Sequence, residues 1–395
     1  MEYKFSNRAL SAKPSRIREI SARGAIDPEF ISFAIGNPAY ETFPVEEIRR
    51  CNDLIYERCP KYALQYGPTI GDDGFRELMK ERLQKIKGIN PEGNDILVTS
   101  GSQQGLTLMP MTVTNEGDVV LVEQYTYMGA LSCMRGMCAV PVGVKVDDDG
   151  INLEALEEAC KTIKNVRYLY LIPNFQNPTG LTYTAENREK VRAALASRNI
   201  VVVEDDPYGE LRFEGESLPY IGGTALPHGV VMGSFSKTVT PGFRMGYLLT
   251  KDHDLLRALN TAKEAADLHT NVFAQFVVLD YLRHNDLDEH LVKIRELYRT
   301  QARAMTDAMA EFFPAEVSFT KPQGGMFLWA TLPEGLNTMD LFPKALERNV
   351  AFVPGEPFYA QPGAYSTMRL NFTNADADTI RDGIQRLGEV IAAAL

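Results

Sequence analysis

Ser234-Phe235-Ser236-Lys237-Thr238-Val239-Thr240-Pro241-Gly242-Phe243-Arg244 follows directly on the apolar run Val230-Val231-Met232. The run reads as a strand. The segment after it therefore holds an amine near a strand end, with two hydroxyls just before the amine and a cation seven residues after it. A lysine in a partly dry pocket can lose its proton and condense with an aldehyde. The planar fork of an arginine pairs with phosphate oxygens. The segment thus suits a ligand that is both aldehyde and phosphate. Taken alone, Ser-x-Ser-Lys is also what a solvated loop looks like, so the rest of the chain has to decide.

Outward from this segment, apolar β-rich runs recur: Ile96-Leu97-Val98, Val119 to Val122, Val166 to Ile172, Ile200 to Val203 and Tyr247-Leu248-Leu249. Most are nearly continuous rather than alternating with polar residues, as strands covered on both faces of a parallel sheet are. Helical stretches lie between them, including Asn152 to Lys164 and Thr184 to Arg198, the second opened by a threonine able to cap it. Strand and helix in alternation predict an α/β layered domain. Beyond it, Leu287 to Phe312 reads as one amphipathic helix, with Leu291, Ile294 and Leu297 at helical spacing. Strand-like pieces at 317–319, 324–329 and 368–372 and helices near 339–348 and from about Asp376 predict a smaller α+β domain.

The 395 residues suffice for two or three domains, and 45% hydrophobic with 24% charged content is ordinary for a globular protein. A net charge of −11 argues against nucleic acid and anionic membrane as partners. Five cysteines without a Cys-x-x-Cys pair suggest reduced thiols in a cytoplasm rather than a disulfide or zinc scaffold. The five histidines lack ligand spacing, so no metal is expected. No signal peptide and no membrane span are read in the sequence.

Open α/β sheets bind ligands beyond the carboxyl ends of their strands. After the first run comes Thr99-Ser100-Gly101-Ser102-Gln103-Gln104-Gly105, opening a helix whose free N–H groups and dipole suit an anion. The next run ends in Glu123-Gln124-Tyr125-Thr126-Tyr127, which offers an aromatic face. The third is followed by Asn177-Pro178-Thr179-Gly180, the fourth by Asp205-Asp206-Pro207-Tyr208, and the fifth by the lysine segment. Each piece has a bland explanation as turn, cap or core. Five strand ends in succession supply what one pyridine-aldehyde phosphate needs.

With these motifs in place the chain resembles the fold type I aminotransferases that depend on pyridoxal 5'-phosphate (PLP), and within them the 2-aminoadipate and kynurenine aminotransferase group. The motifs run in order from Gly36-Asn37-Pro38 and Tyr66-Gly67-Pro68 through those above to Arg369. The resemblance implies a large PLP-binding domain over residues 46–285, with a mostly parallel central sheet flanked by helices. It also implies an N-terminal arm over residues 1–45, joined to a small α+β domain over residues 286–395. It implies a Schiff base on Lys237, a pyridine partner in Asp205, and contacts from Asn177 and Tyr208 to the ring hydroxyl. Tyr127 would stack on the ring, and Ser102, Gln103, Ser234, Ser236 and Arg244 would hold the phosphate. Arg369 would clamp the substrate carboxylate with Asn177 and the Gly36 backbone. Tyr66 would reach the phosphate of a second subunit in a homodimer. Arg18 is expected to favour an acidic amino donor.

The expected reaction is transfer of an amino group from an L-amino acid to a 2-oxo acid, with glutamate and 2-oxoglutarate as one couple. A carbon–sulfur lyase, or another PLP enzyme of the same fold such as a decarboxylase, is the alternative. A transcription regulator with an aminotransferase-like domain is disfavoured because the first family motif begins at Gly36, leaving no room for a DNA-binding domain before it. A nicotinamide dehydrogenase is disfavoured because no Gly-x-Gly-x-x-Gly follows a strand.

Overall fold

The computed structural model describes residues 4–11, 29–223, 225–361 and 365–395. Its frame is a sheet of seven strands. These are β1 (Asp95–Thr99), β2 (Val119–Glu123), β3 (Val140–Val144), β4 (Val166–Leu171), β5 (Val201–Asp205), β6 (Gly229–Ser234) and β7 (Gly246–Thr250). Across the sheet the order is β1-β7-β6-β5-β4-β2-β3. The run from β6 to β3 is parallel throughout. Each of the apolar runs named above became a strand, and the α/β expectation holds. Leu97, Val98, Val120, Leu121, Leu169, Tyr170, Val203, Met232 and Leu248 are all buried completely, each contributing roughly 1.5–3 kcal/mol of apolar burial.

Two features were not foreseen. Strand β7 runs antiparallel to both of its neighbours, β1 and β6. Parallel neighbours need a crossover of about a dozen residues or more, and residues 235–245 instead form the lysine loop. Strand β3, with Pro141 and Gly143, breaks the apolar pattern and sits at the sheet edge, where a missing N–H is tolerated.

Helix α1 (Ser102–Val113) follows β1 directly. The stretches read as helices after β3 and β4 are Leu153–Thr162 and Ala185–Leu195. Thr184 does cap the latter, its Oγ1 accepting from Asn187 N at 3.1 Å. Helix α2 (Leu287–Phe312) has the bounds that its periodicity predicted; it buries Leu291, Ile294, Tyr298, Met305 and Met309 and packs against the closing helix α3 (Ala377–Ala392). A second, antiparallel sheet holds β8 (Ser318–Phe319), β9 (Phe327–Thr331), β10 (Val353–Pro354) and β11 (Thr367–Asn371) in the order β8-β9-β11-β10. The strand Ile31–Ser32 pairs in parallel with Val350–Ala351, tying the N-terminal segment to the C-terminal one.

Candidate active site

The carboxyl ends of β1, β2, β4, β5 and β6 open on one side of the sheet, and the chemistry-bearing residues gather there. Lys237, three residues past β6, is half-buried and donates from Nζ to the carbonyl oxygen of Gly36 at 2.8 Å. Burial, then the positive charges of Arg369 and Arg244, bring its amine down to about 8. A lysine so placed holds a useful neutral fraction near physiological pH and can act as nucleophile or base.

Asp205 is the last residue of β5 and is 3% exposed. Its Oδ2 accepts from the phenol of Tyr170, on the neighbouring strand β4, at 2.7 Å, while its Oδ1 is buried without a partner among the described residues. Burial raises the carboxyl to about 7; the Tyr170 hydrogen bond opposes that rise, and Asp206 and Glu123 add to it. Tyr208 lies close by, its phenol held above the ordinary range by burial and hydrogen-bonded to Asn177. Tyr127, after β2, donates to Gln103 Oε1 at 3.3 Å.

A cationic corner lies beside this cluster. Gly101 precedes α1 with φ +74°, and no side chain caps the first turn of the helix. Its N–H groups are therefore available to an anion. Ser102 and Gln103 are the first two residues of that turn. Arg244 packs over Gly101 so closely that a Cβ there would lie 2.5 Å from Nη2. Arg244 Nη1 donates to Ser236 Oγ at 3.3 Å, and Ser234 Oγ accepts from Ser236 N at 3.1 Å. Two hydroxyls, a guanidinium and a helix N-terminus thus converge.

Arg369 comes from β11 and is 4% exposed. It donates from Nη1 to Asn177 Oδ1 at 2.9 Å and from Nη2 to Ala34 O at 2.7 Å, while its Nε has no partner among the described residues. The rings of Phe327 and Phe358 lie 4.2 and 5.2 Å from the guanidinium carbon. Burial lowers its pKa to about 10, which leaves it charged at neutral pH. Gly36 is required there: a Cβ would stand 2.9 Å from Phe327 Cζ.

The sequence reading missed a supporting layer. Glu123, the last residue of β2, is wholly buried and accepts from Tyr183 Oη at 2.8 Å, Gln176 Nε2 at 3.0 Å and Thr126 Oγ1 at 3.2 Å. Burial raises it to about 7 against those donors. Gln176 Oε1 in turn accepts from Thr179 Oγ1 at 2.6 Å, which fixes the loop carrying Asn177. A carboxylate closing an apolar strand was the available signal. Tyr170, Phe327 and Phe358 were hidden as core-like aromatics. Tyr66 stands outside the cluster, 78% exposed, its ring edge-on to His269. Arg18 lies outside the described residues.

The family model for aminotransferase class I and II matches residues 28–387. An aromatic-amino-acid aminotransferase 1 of Thermococcus litoralis is 41% identical over 392 residues, 98% of this chain and 94% of that protein. A 2-aminoadipate transaminase of Thermus thermophilus is 39% identical over 395 residues, 99% of this chain and 97% of its own. Among solved structures, a Pyrococcus horikoshii kynurenine aminotransferase in complex with PMP superposes with a TM-score of 0.94 at 40% identity, covering 99% of this chain and 97% of that one. With the strand-end cluster, these likenesses lead to one conclusion: the chain belongs to the class I and II aminotransferases.

Proposed function

We propose that this aminotransferase exchanges amino groups between an L-amino acid and a 2-oxo acid on pyridoxal 5'-phosphate, with glutamate and 2-oxoglutarate as one couple and 2-aminoadipate or an aromatic or aliphatic amino acid as the donor of the other. The observation that carries the reading is Asp205 Oδ1, a buried carboxylate oxygen without a partner among the described residues, close to the phenols of Tyr127 and Tyr208. A protonated pyridine nitrogen is the partner such an oxygen lacks. The donor set thus fits the cofactor at ring and phosphate alike.

In this reading Asp205 would hold the pyridine nitrogen, Asn177 and Tyr208 the ring hydroxyl, and Tyr127 would cover the ring. Ser102, Gln103, Ser234, Ser236 and Arg244 would bind the phosphate. When bound, the cofactor supplies a sink for the electron pair released as the substrate's Cα–H bond breaks. Lys237 would anchor the aldehyde of the cofactor, and its Nζ, when free, would serve as the base that takes the substrate's Cα proton. Arg369 positions that proton by gripping the α-carboxylate bidentately, braced by Asn177 and Ala34 O.

The assembly is a homodimer. Tyr56, Tyr62, Leu64 and Tyr66 are 55, 74, 66 and 78% exposed, an apolar band that a second copy would cover. Tyr66 would then reach the other subunit's phosphate. Five free cysteines support a reducing cytoplasm. The pairing of Ile31–Ser32 with Val350–Ala351 supports grouping residues 1–45 with the small domain, 286–395, apart from the large domain, 46–285.

The test is an absorption spectrum of the PLP-loaded protein before and after L-glutamate, with no oxo acid present. Loss of the cofactor's aldehyde-derived band with release of one equivalent of 2-oxoglutarate is expected. A band that persists would remove glutamate as donor. Pyruvate and ammonia from other amino acids would move the assignment to a lyase.

A further inference from the structure

We propose that Tyr170 is a positioning residue for the cofactor's pyridine nitrogen: its buried O–H holds Asp205 Oδ2 and thereby presents Oδ1 to the ring. The inference rests on the placement of that nitrogen at Asp205. Tyr170 sits on β4 beside β5, with its Cα opposite Val203, and is completely buried. Its donation at 2.7 Å satisfies one carboxylate oxygen, and the other has no partner among the described residues. A carboxylate tethered at one oxygen cannot turn about its Cβ–Cγ bond without losing that bond, so the free oxygen keeps one direction.

Tyr170 also decides where the proton resides. Other groups close enough to act on Asp205 are Asp206 beside it, Glu123 on β2, and the phenols of Tyr127 and Tyr208. Burial and the two acids favour a protonated Asp205, and Tyr170 alone is found opposing them. Burial and the charge of Asp205 hold the Tyr170 phenol well above its ordinary range, so the phenol stays a donor at every physiological pH. Without it the carboxyl becomes the more basic partner and draws the proton off the ring nitrogen, so the ring loses its positive charge.

The experiment compares wild type, Tyr170→Phe, Asp205→Asn and the double variant by two readouts that do not involve turnover. These are retention of PLP by the loaded protein as a function of pH, and the 15N resonance of ring-labelled cofactor. In wild type, retention should weaken as pH falls through the Asp205 titration. In Tyr170→Phe that break should move up by about one pH unit, a roughly tenfold weaker retention within the window. The resonance should shift from pyridinium toward neutral pyridine. The double variant should match Asp205→Asn alone. If Asp205→Asn changes neither readout, the placement of the nitrogen at Asp205 falls and the inference falls with it. If Asp205→Asn changes both and Tyr170→Phe changes neither, the inference alone is overturned. Should Tyr170→Phe fail to fold, replacing Tyr170 by difluorotyrosine keeps the O–H and strengthens the donor. The break should then move to lower pH, and an unmoved break overturns the inference.

Discussion

Arg369→Lys tests the proposed grip of the planar fork on the substrate carboxylate. The substitution keeps a cation on β11. It removes the second of two parallel donors and the flat surface held between Phe327 and Phe358, 4.2 and 5.2 Å from the guanidinium carbon. Asn177 Oδ1 and Ala34 O, which accept at 2.9 and 2.7 Å, then compete for a single ammonium. One lost hydrogen bond to a charged partner corresponds to about 1.5–3 kcal/mol. At 1.36 kcal/mol per decade this is roughly a 10- to 150-fold fall in the second-order rate constant. The assay is single-turnover: PLP-loaded enzyme is mixed with amino acid and the decay of the cofactor band is followed at several concentrations. A primary amine lacking the carboxylate serves as the control and should react equally with both enzymes. A loss below threefold, or an equal loss with the amine, would refute the carboxylate role.

Arg369→Gln removes a positive charge that helps hold Lys237 down at about 8, so the midpoint of Lys237 acylation in the apoprotein, read by peptide mass, should move to higher pH. Gly101→Ala places a Cβ 2.5 Å from Arg244 Nη2 at φ +74°; PLP retention in equilibrium dialysis should weaken tenfold or more, about 1.4 kcal/mol. Asp205 and Glu123 are both raised to about 7. Between their unfolded values, near pH 4, and pH 7 the folded apoprotein keeps protons that the unfolded chain has released, so its stability should fall as pH rises through that window. Melting temperatures at pH 5 and 7.5 check this, and Asp205→Asn should flatten the slope. Leu64→Asp combined with Tyr62→Asp should yield monomers by sedimentation and a weaker hold on PLP, if the exposed band is the dimer face.

What could be read from the residues was what a strand end announces. Lys237, Asp205 and Asn177 each follow a buried apolar run, and an α/β sheet delivers such positions to one edge whatever the loop details. Residues that act from within a strand or from a distant segment were illegible. Tyr170 sits among Tyr168, Leu169 and Leu171, where a phenol reads as filler. Phe327 and Phe358 meet Arg369 only because β9, β11 and the turn after β10 come together in the small sheet. The direction of β7 is likewise a matter of loop length, not of composition.

That reversed strand has a further consequence. Because β7 returns antiparallel beside β6, Ser234 and Gly246 are paired in the ladder, and the eleven residues between them form a closed loop with both feet bolted together. Lys237 and Arg244 ride on this one loop, so the gap between amine and guanidinium is gauged by a short tether and not by how two separate elements happen to settle. Such a caliper would keep that gap fixed against drift elsewhere in the molecule. An insertion within 238–243 should open its jaws and leave the rest of the sheet standing.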